Sequence, residues 1–469
     1  MLLERFEDRG LAHYSYAVAC PAAGKMAVID PRRDVDIYLE FARDRNLEIV
    51  YVLETHIHAD YASGAWELAH RSGAELWLSA YDTGEIYEVT FPHHELGEGD
   101  ELVIGSLRIQ PLHTPGHTPE HLSFLLYDTT RSAEIPLLMF SGDFLFVGSL
   151  GRPDLLGEEA KHELAVQLYT SVREKLEGLP DGLEIYPAHG AGSMCGAGMS
   201  SRPTSTLGFE RMTNPYLQKD LSCEAFVEKI LSTVPPFPPY YRRMKELNAQ
   251  GPALLNGLPG REALEVSRFR QLVEDGHTVI DLRDQLSFGA GHIPGALGIG
   301  AGTDLSTWAA WVVPYDTPLL LVSPDVTTVE AAVRALVRVG LDQIAGYLDG
   351  GIESWIRAGY SLQATPQISP PDLYRRLQQG EAICVLDVRS DAEWHSGHIP
   401  GALHIMGGEL MHRLSEIPAG STPLAVVCAS GYRSTVAVSV LERAGVHPLL
   451  HVTGGMNAWR QAGLPLSYE

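Results

Sequence analysis

The segment Glu48-Ile49-Val50-Tyr51-Val52-Leu53-Glu54 runs directly into Thr55-His56-Ile57-His58-Ala59-Asp60-Tyr61, and a helix-like stretch from Ala62 to Ser72 follows. The first seven residues read as a strand. Alternate side chains past its end share a face, so His56, His58 and Asp60 can point into one cleft. Three more polar residues stand in similar contexts: His117 in Thr114-Pro115-Gly116-His117-Thr118, Asp143 after the run Leu137 to Gly142, and His189 after Leu183 to Ala188. One such residue alone is ordinary. Four strand ends that converge on imidazoles and carboxylates predict a metal site. His13, His70, His93, His94, His113, His121 and His162 lack the full context and read as ordinary polar residues.

Beyond this region the chain repeats itself. Val279-Ile280-Asp281-Leu282-Arg283 and Gly291-His292-Ile293-Pro294-Gly295-Ala296-Leu297 recur, 106 residues on, as Val385-Leu386-Asp387-Val388-Arg389 and Gly397-His398-Ile399-Pro400-Gly401-Ala402-Leu403. Gly350-Gly351-Ile352-Glu353-Ser354-Trp355 pairs with Gly454-Gly455-Met456-Asn457-Ala458-Trp459 at an offset of 104. Two homologous units of about 100 residues therefore stand in tandem. Each alternates short apolar runs (Thr278 to Leu282, Leu319 to Val322, Ile383 to Val388, Leu424 to Val427) with helix-period segments such as Val329 to Val339 and Thr435 to Ala444, which predicts parallel α/β units. The stiff Pro235-Pro236-Phe237-Pro238-Pro239 reads as a linker at the end of the first domain. The expected division is 1–250, 258–364 and 367–469.

The chain has 469 residues, with 45% hydrophobic and 20% charged, the usage of a globular protein. The formal charge of −24 repels phosphate backbones and anionic lipid, so nucleic acid and membrane surfaces are excluded as partners. No run approaches the ~18 apolar residues of a membrane span. Met1 to Tyr16 lacks the basic start and apolar centre of a signal peptide, and the cytoplasm is the expected location. Five scattered cysteines (Cys20, Cys195, Cys223, Cys384, Cys428) read as free thiols. A homo-oligomer remains open.

Two cysteines have informative surroundings. Cys428 begins the loop Cys428-Ala429-Ser430-Gly431-Tyr432-Arg433, between an apolar strand and a helix-like run from Ser434. Loop amides, a helix N-terminus and Arg433 all favour thiolate, and the same cradle suits an anionic persulfide. The matching loop of the first repeat is Ser323-Pro324-Asp325-Val326-Thr327-Thr328, with neither the thiol nor the cation. Pro324 and Asp325 also spoil an anion cradle there. Cys195 lies six residues past His189 in Gly190-Ala191-Gly192-Ser193-Met194-Cys195-Gly196-Ala197-Gly198, where it can reach the metal or sit as an inert buried thiol.

On these motifs the first 190 or so residues resemble the metallo-β-lactamase superfamily, an αββα sandwich with a His-X-His-X-Asp-His loop and later His, Asp and His ligands. Within it, Thr114 to Thr118, Ser141-Gly142-Asp143 and Gly151-Arg152-Pro153-Asp154 look most like the persulfide (sulfur) dioxygenases, relatives of glyoxalase II. The resemblance implies one Fe(II) held by His56, His117 and Asp143, with zinc able to take its place in a recombinant preparation. Tyr61 stands where the superfamily has a further His, which fits a mononuclear site. His58, Asp60 and His189 then orient ligands and water, or are plainly structural. Arg152 falls in the family's substrate-binding loop, where it can pair with a carboxylate or phosphate of the thiol carrier. Pro370 to Tyr468 resembles the rhodanese sulfurtransferases, with Cys428 and Arg433 catalytic and Ala429, Ser430, Gly431 and Tyr432 forming the persulfide loop. The related dual-specificity phosphatases have one more loop residue. The middle unit resembles an inactive rhodanese homology domain. The whole chain looks like a persulfide dioxygenase–rhodanese fusion, which implies a low-molecular-weight thiol persulfide, O2 and sulfite or thiosulfate as reactants in sulfide detoxification. The alternatives are a zinc thioester hydrolase of the glyoxalase II kind fused to a sulfurtransferase, and a non-enzymatic sulfur-carrying or sulfur-sensing adaptor.

Overall fold

The computed structural model describes residues 1–418 and 420–469. It divides into one unit of Met1–Gly257 with Val337–Gly340 and a second of Leu258–Leu336 with Leu341–Glu469.

The first unit holds two six-stranded sheets. One runs, in order, through Leu2–Asp8, His13–Cys20, Lys25–Ile29, Glu48–Leu53, Glu75–Ser79 and His94–Leu96. The other has Leu102–Ile104 at one edge, then Leu107–His113, Leu122–Asp128, Leu138–Gly142, Glu184–Pro187 and Ser205–Thr206. Side chains alternate across each strand. In His13–Cys20, Tyr14, Tyr16 and Val18 enter the core between the sheets, while Ala17 and Ala19 join the cluster beneath helices Asp36–Asp44 and Ala65–Ser72. In Leu122–Asp128, Leu122, Phe124 and Leu126 face that same inter-sheet core, while Leu125 and Tyr127 pack with helices Lys161–Glu174 and Cys223–Ser232. Both faces are buried, which is why apolar residues fall on both faces of these strands. The result is an αββα sandwich.

The predicted strands before the metal-site candidates are present as Glu48–Leu53, Leu138–Gly142 and Glu184–Pro187. The proline stretch is followed by one more helix of the same unit, Tyr240–Gln250, which returns to the His56 loop.

The second unit holds two parallel five-stranded sheets of one design. The first orders Ala263–Leu264, Ile344–Leu348, Leu319–Val322, Thr278–Asp281 and Leu297–Gly298; the second orders Gln367–Ile368, Leu449–Val452, Leu424–Val427, Cys384–Asp387 and Leu403–His404. Their registers correspond, with Ala263 opposite Tyr347 as Gln367 is opposite His451. The repeated motifs turn out to be fastenings. Arg283 and Arg389 each clamp the aspartate two residues before them, at 2.6 Å, and donate to Gly291 O and Gly397 O. Trp355 and Trp459 each donate their indole N–H to a carbonyl six residues on. Among the described residues no helix is long and apolar enough to cross a membrane.

Candidate metal centre and thiol loop

His56, His117 and Asp143 meet, although they come from three separate strand ends. Asp143 Oδ2 lies 3.3 Å from His117 Nε2 and 3.8 Å from His56 Nε2. All three atoms are buried and have no hydrogen-bond partner among the described residues. Unpaired buried polar atoms are costly, and ligands about 2.0–2.2 Å from one ion stand at about this mutual spacing. The donor set of two imidazoles and one carboxylate therefore fits a bound metal.

The surrounding residues fix each ligand's tautomer. Thr55 Oγ1 donates to Asp30 Oδ2 at 2.9 Å, so it accepts from His56 Nδ1, also at 2.9 Å, and leaves Nε2 with its lone pair outward. His117 Nδ1 donates to Arg152 O at 2.8 Å, with the same consequence. Burial first, then the neighbouring imidazoles, holds His56 and His117 well below the usual histidine range, so both are free bases ready to bind.

Behind Asp143 the arrangement changes. His189 Nδ1 donates to Asp143 Oδ1 and its Nε2 to Asp60 Oδ2, both at 2.7 Å. Burial alone would lower this histidine, but the two carboxylates outweigh it and lift its pKa well above the ordinary value. His189 is thus an imidazolium clamped between two anions, with both nitrogens engaged. Cys195 joins Asp60 and His189 in a second buried group whose ligand atoms lie within 4.8 Å of one another. Its thiol is pushed well up, first by burial and then by Asp60 and Asp143, and it lies 3.9 Å from Tyr241 Oη. His58 turns Nε2 to Asp30 Oδ1 at 3.2 Å, away from the ligand set. Tyr61 packs its ring on His58 and His13 and donates to Asp30 O. Arg152 is buried: it forks onto Asp154 at 2.6 and 2.8 Å and donates to Met194 O and Pro235 O, so its side chain ties the loop to the proline stretch.

Several members were not read from the sequence. Asp30 anchors Thr55 and His58, and it ends an apolar run as Asp143 does, a signal that was available. His121 Nε2 accepts the backbone N–H of Asp143 at 3.0 Å, setting the ligand's peptide. Helix Tyr240–Gln250 carries Lys245, which donates to Ile57 O, and Asn248, which donates to His58 O and Tyr61 O. These hold the His56 loop by its backbone, and no motif announces them.

Gly151 is a sharp test of this packing. A Cβ there would stand 1.9 Å from Asp143 O and 2.9 Å from His117 Nδ1. Gly151→Ala must displace two ligand supports, so metal affinity is expected to fall about 10–100-fold, measured as metal retained against a graded chelator.

In the second unit, Cys428 follows strand Leu424–Val427 and precedes helix Tyr432–Arg443. Its sulfur accepts from Gly431 N at 3.1 Å and lies 3.4 Å from Ser434 Oγ. Gly431 has φ 117°, and a Cβ there would strike Gln285 of the first repeat, so only glycine fits the turn. Tyr432 Oη donates to Gly300 O, again in the first repeat. Arg433 is held by Glu393 in a two-pronged pair at 2.6 and 2.7 Å, which brings the Glu393 carboxyl down to about 2 against the burial that would raise it. In the other repeat, Asp325 accepts from Thr328 N and Thr328 Oγ1 at 2.8 and 2.9 Å, so a carboxylate caps the helix in the loop that has Ser323 in place of the thiol.

An αββα sandwich with this ligand set at one end of its strands defines a metal-binding centre of the metallo-β-lactamase class. The chain belongs to the metallo-beta-lactamase superfamily, which it matches over residues 8–189, and it continues into two rhodanese-like domains, at residues 265–358 and 369–462. It is 34% identical to a metallo-beta-lactamase crystal structure from Staphylococcus aureus subsp. aureus COL, with a TM-score of 0.66, covering 74% of this chain and 98% of that one. The persulfide dioxygenase ETHE1 of Mus musculus, a mitochondrial protein, is 29% identical over 49% of this chain and 79% of its own length. The hydroxyacylglutathione hydrolase GloC of Haemophilus influenzae is 27% identical over 41% of this chain and 86% of its own.

Proposed function

We propose that the first unit is a mononuclear non-haem iron dioxygenase that oxidises the outer sulfur of a low-molecular-weight thiol persulfide, and that the last domain is a sulfurtransferase acting through Cys428. The balance is RSSH + O2 + H2O giving RSH and sulfite with two protons; Cys428 then passes a sulfane sulfur to sulfite as thiosulfate, or runs in reverse. Residues 1–250, 258–364 and 367–469 are the corresponding oxidising, silent and transferring parts. The observation that carries the reading is the donor set of His56, His117 and Asp143, whose three facing atoms have no hydrogen-bond partner among the described residues, beside a His189 whose nitrogens are both committed to carboxylates and a Tyr61 that donates to Asp30 O. These three residues would hold one ion, and three protein ligands would leave it room to bind reactants.

Bound iron would supply coordination for O2 and sulfur and the redox capacity of the reaction. The chain's own groups do the rest. His56 and His117 present fixed lone pairs, Asp143 supplies the negative charge, and the His189 imidazolium holds Asp143 Oδ1 so that Oδ2 alone faces the site. The buried surroundings exclude bulk water.

The identity with a hydroxyacylglutathione hydrolase keeps a thioester hydrolase as the second reading. One experiment separates them. Anaerobically iron-loaded protein is given glutathione persulfide or coenzyme A persulfide while O2, sulfite and thiosulfate are followed; zinc-loaded protein is given a glutathione thioester. O2 uptake with sulfite or thiosulfate is the expected result. Thioester hydrolysis with no O2 uptake from either persulfide, despite bound iron, replaces the dioxygenase by the hydrolase.

A further inference from the structure

Cys428 has more behind it than loop amides. Ser434 Oγ, 3.4 Å from Cys428 Sγ, is also 2.8 Å from His451 Nε2, and His451 Nδ1 is 2.7 Å from Gln367 Oε1. Ser434 and His451 are buried, and Gln367 closes the row from the exposed edge strand Gln367–Ile368. We propose that Ser434, His451 and Gln367 form a proton relay for Cys428, with Ser434 the catalytic contact to sulfur and His451 and Gln367 its positioning residues. This rests on the sulfur-transfer reading above.

The hydrogen-bond directions support it. Gln367 Nε2 donates to Thr365 O at 3.2 Å, which leaves Oε1 as the acceptor facing His451. Nδ1 therefore carries the proton, and Nε2 offers its lone pair to the Ser434 hydroxyl. When Nε2 gains a proton it has an acceptor waiting, because Gly431 O lies 3.1 Å away. Both protonation states are thus satisfied without movement, as a shuttle requires.

The internal repeat supplies a control. By strand position and register, Ser434 corresponds to Val329, His451 to Tyr347 and Gln367 to Ala263. The repeat that has Ser323 in place of the thiol also lacks all three partners. A purely structural network has no reason to vanish with the nucleophile.

In the step itself the Cys428 S–H proton passes to Ser434 as the Ser434 proton passes to His451 Nε2. The freed sulfur pair forms a bond to the donor's outer sulfur, the donor's S–S bond breaks, and its thiolate leaves with the electron pair of that broken bond and takes the proton back from His451 Nε2. Cys–SH plus RSSH becomes Cys–SSH plus RSH, with no oxidant needed. Burial holds His451 below the ordinary histidine range, against a small opposing pull from Gly431 O, so the base form is present through neutral pH and is lost only on acidification. The charged groups facing Cys428 are Arg433 of its own helix, Glu393 of helix Asp391–His395, which pairs Arg433, and Asp387 of strand Cys384–Asp387, clamped by Arg389. The groups facing His451 from the packed strands and helix, Gln367, Ser434 and Thr435, are all uncharged.

The test is the pH profile of Cys428 alkylation by iodoacetamide in the full chain, read at the Cys428 peptide by mass spectrometry. Ser434→Ala and His451→Gln are expected to shift the rise to higher pH and slow alkylation at pH 7 about tenfold. Gln367→Leu shifts it the same way by less, and because that residue is exposed it decides the matter if a buried variant does not fold. Ser439→Ala, a buried hydroxyl of the same helix bonded to Val436 O, leaves the profile unchanged. Variant profiles that superimpose on the parent's overturn the relay while leaving sulfur transfer intact. A parent Cys428 that alkylates like an ordinary thiol and takes no sulfur from thiosulfate overturns the transfer reading and the relay together.

Discussion

Persulfide-dependent O2 uptake falls on the order of a thousandfold in His117→Ala and in Asp143→Asn, because a bound metal contributes several kcal/mol to such a reaction and each ~1.4 kcal/mol is a factor of ten. The two variants fail in different ways. His117→Ala removes a neutral donor whose Nδ1 is tied to Arg152 O, so the ion is lost or loosely held and the fold is kept. Asp143→Asn keeps the shape but removes a charge from both sides: the ion loses its anionic ligand, and the clamped His189 loses one of the two carboxylates that keep it protonated. Metal content by elemental analysis beside O2 electrode traces checks both. Full iron occupancy and parent-like uptake in either variant would remove the assigned ligand set.

Cys428→Ser abolishes sulfur transfer from thiosulfate, by on the order of a thousandfold or more, since a serine hydroxyl in the same cradle is no sulfur nucleophile. O2 uptake continues at the parent rate, and sulfite accumulates where the parent makes thiosulfate. The two reactions are thereby assigned to separate residues in one chain, and the single measurement of sulfite against thiosulfate reads both. Thiosulfate formation that persists in the variant would place the transferring sulfur elsewhere.

The candidate metal ligands were legible for two reasons: His56 and Asp143 stand just past the apolar strands Glu48–Leu53 and Leu138–Gly142, while His117 is marked by its Pro-Gly-His segment. The repeat was legible for another reason: Asp281–Arg283 and Asp387–Arg389 are fastenings, and the same clamps recur wherever the same sheet must close. What escaped was whatever depends on long-range return of the chain. Lys245 and Asn248 reach the His56 loop almost 190 residues away in sequence, from a helix lying beyond a proline stretch that reads as an ending. His121 was passed over because its work is done on a backbone amide, which leaves no pattern in neighbouring residues. Arg152 was placed toward substrate by its motif, while in the fold its donors go to Asp154, Met194 and Pro235. Side-chain type gave the chemistry available at each position; only the fold showed which groups were already engaged.

Asp325, seated on its own helix amide in the first repeat, also sets a capacity. With a carboxylate in that loop and Ser323 in place of the thiol, the duplicated sheet offers no second berth, and under the proposed sulfur transfer Cys428 alone would hold the sulfur in transit. Such a protein keeps no reservoir. A reactive sulfur picked up at Cys428 must leave before another can be taken, so the flow through the chain follows the instantaneous supply of donor and acceptor and does not lag behind it.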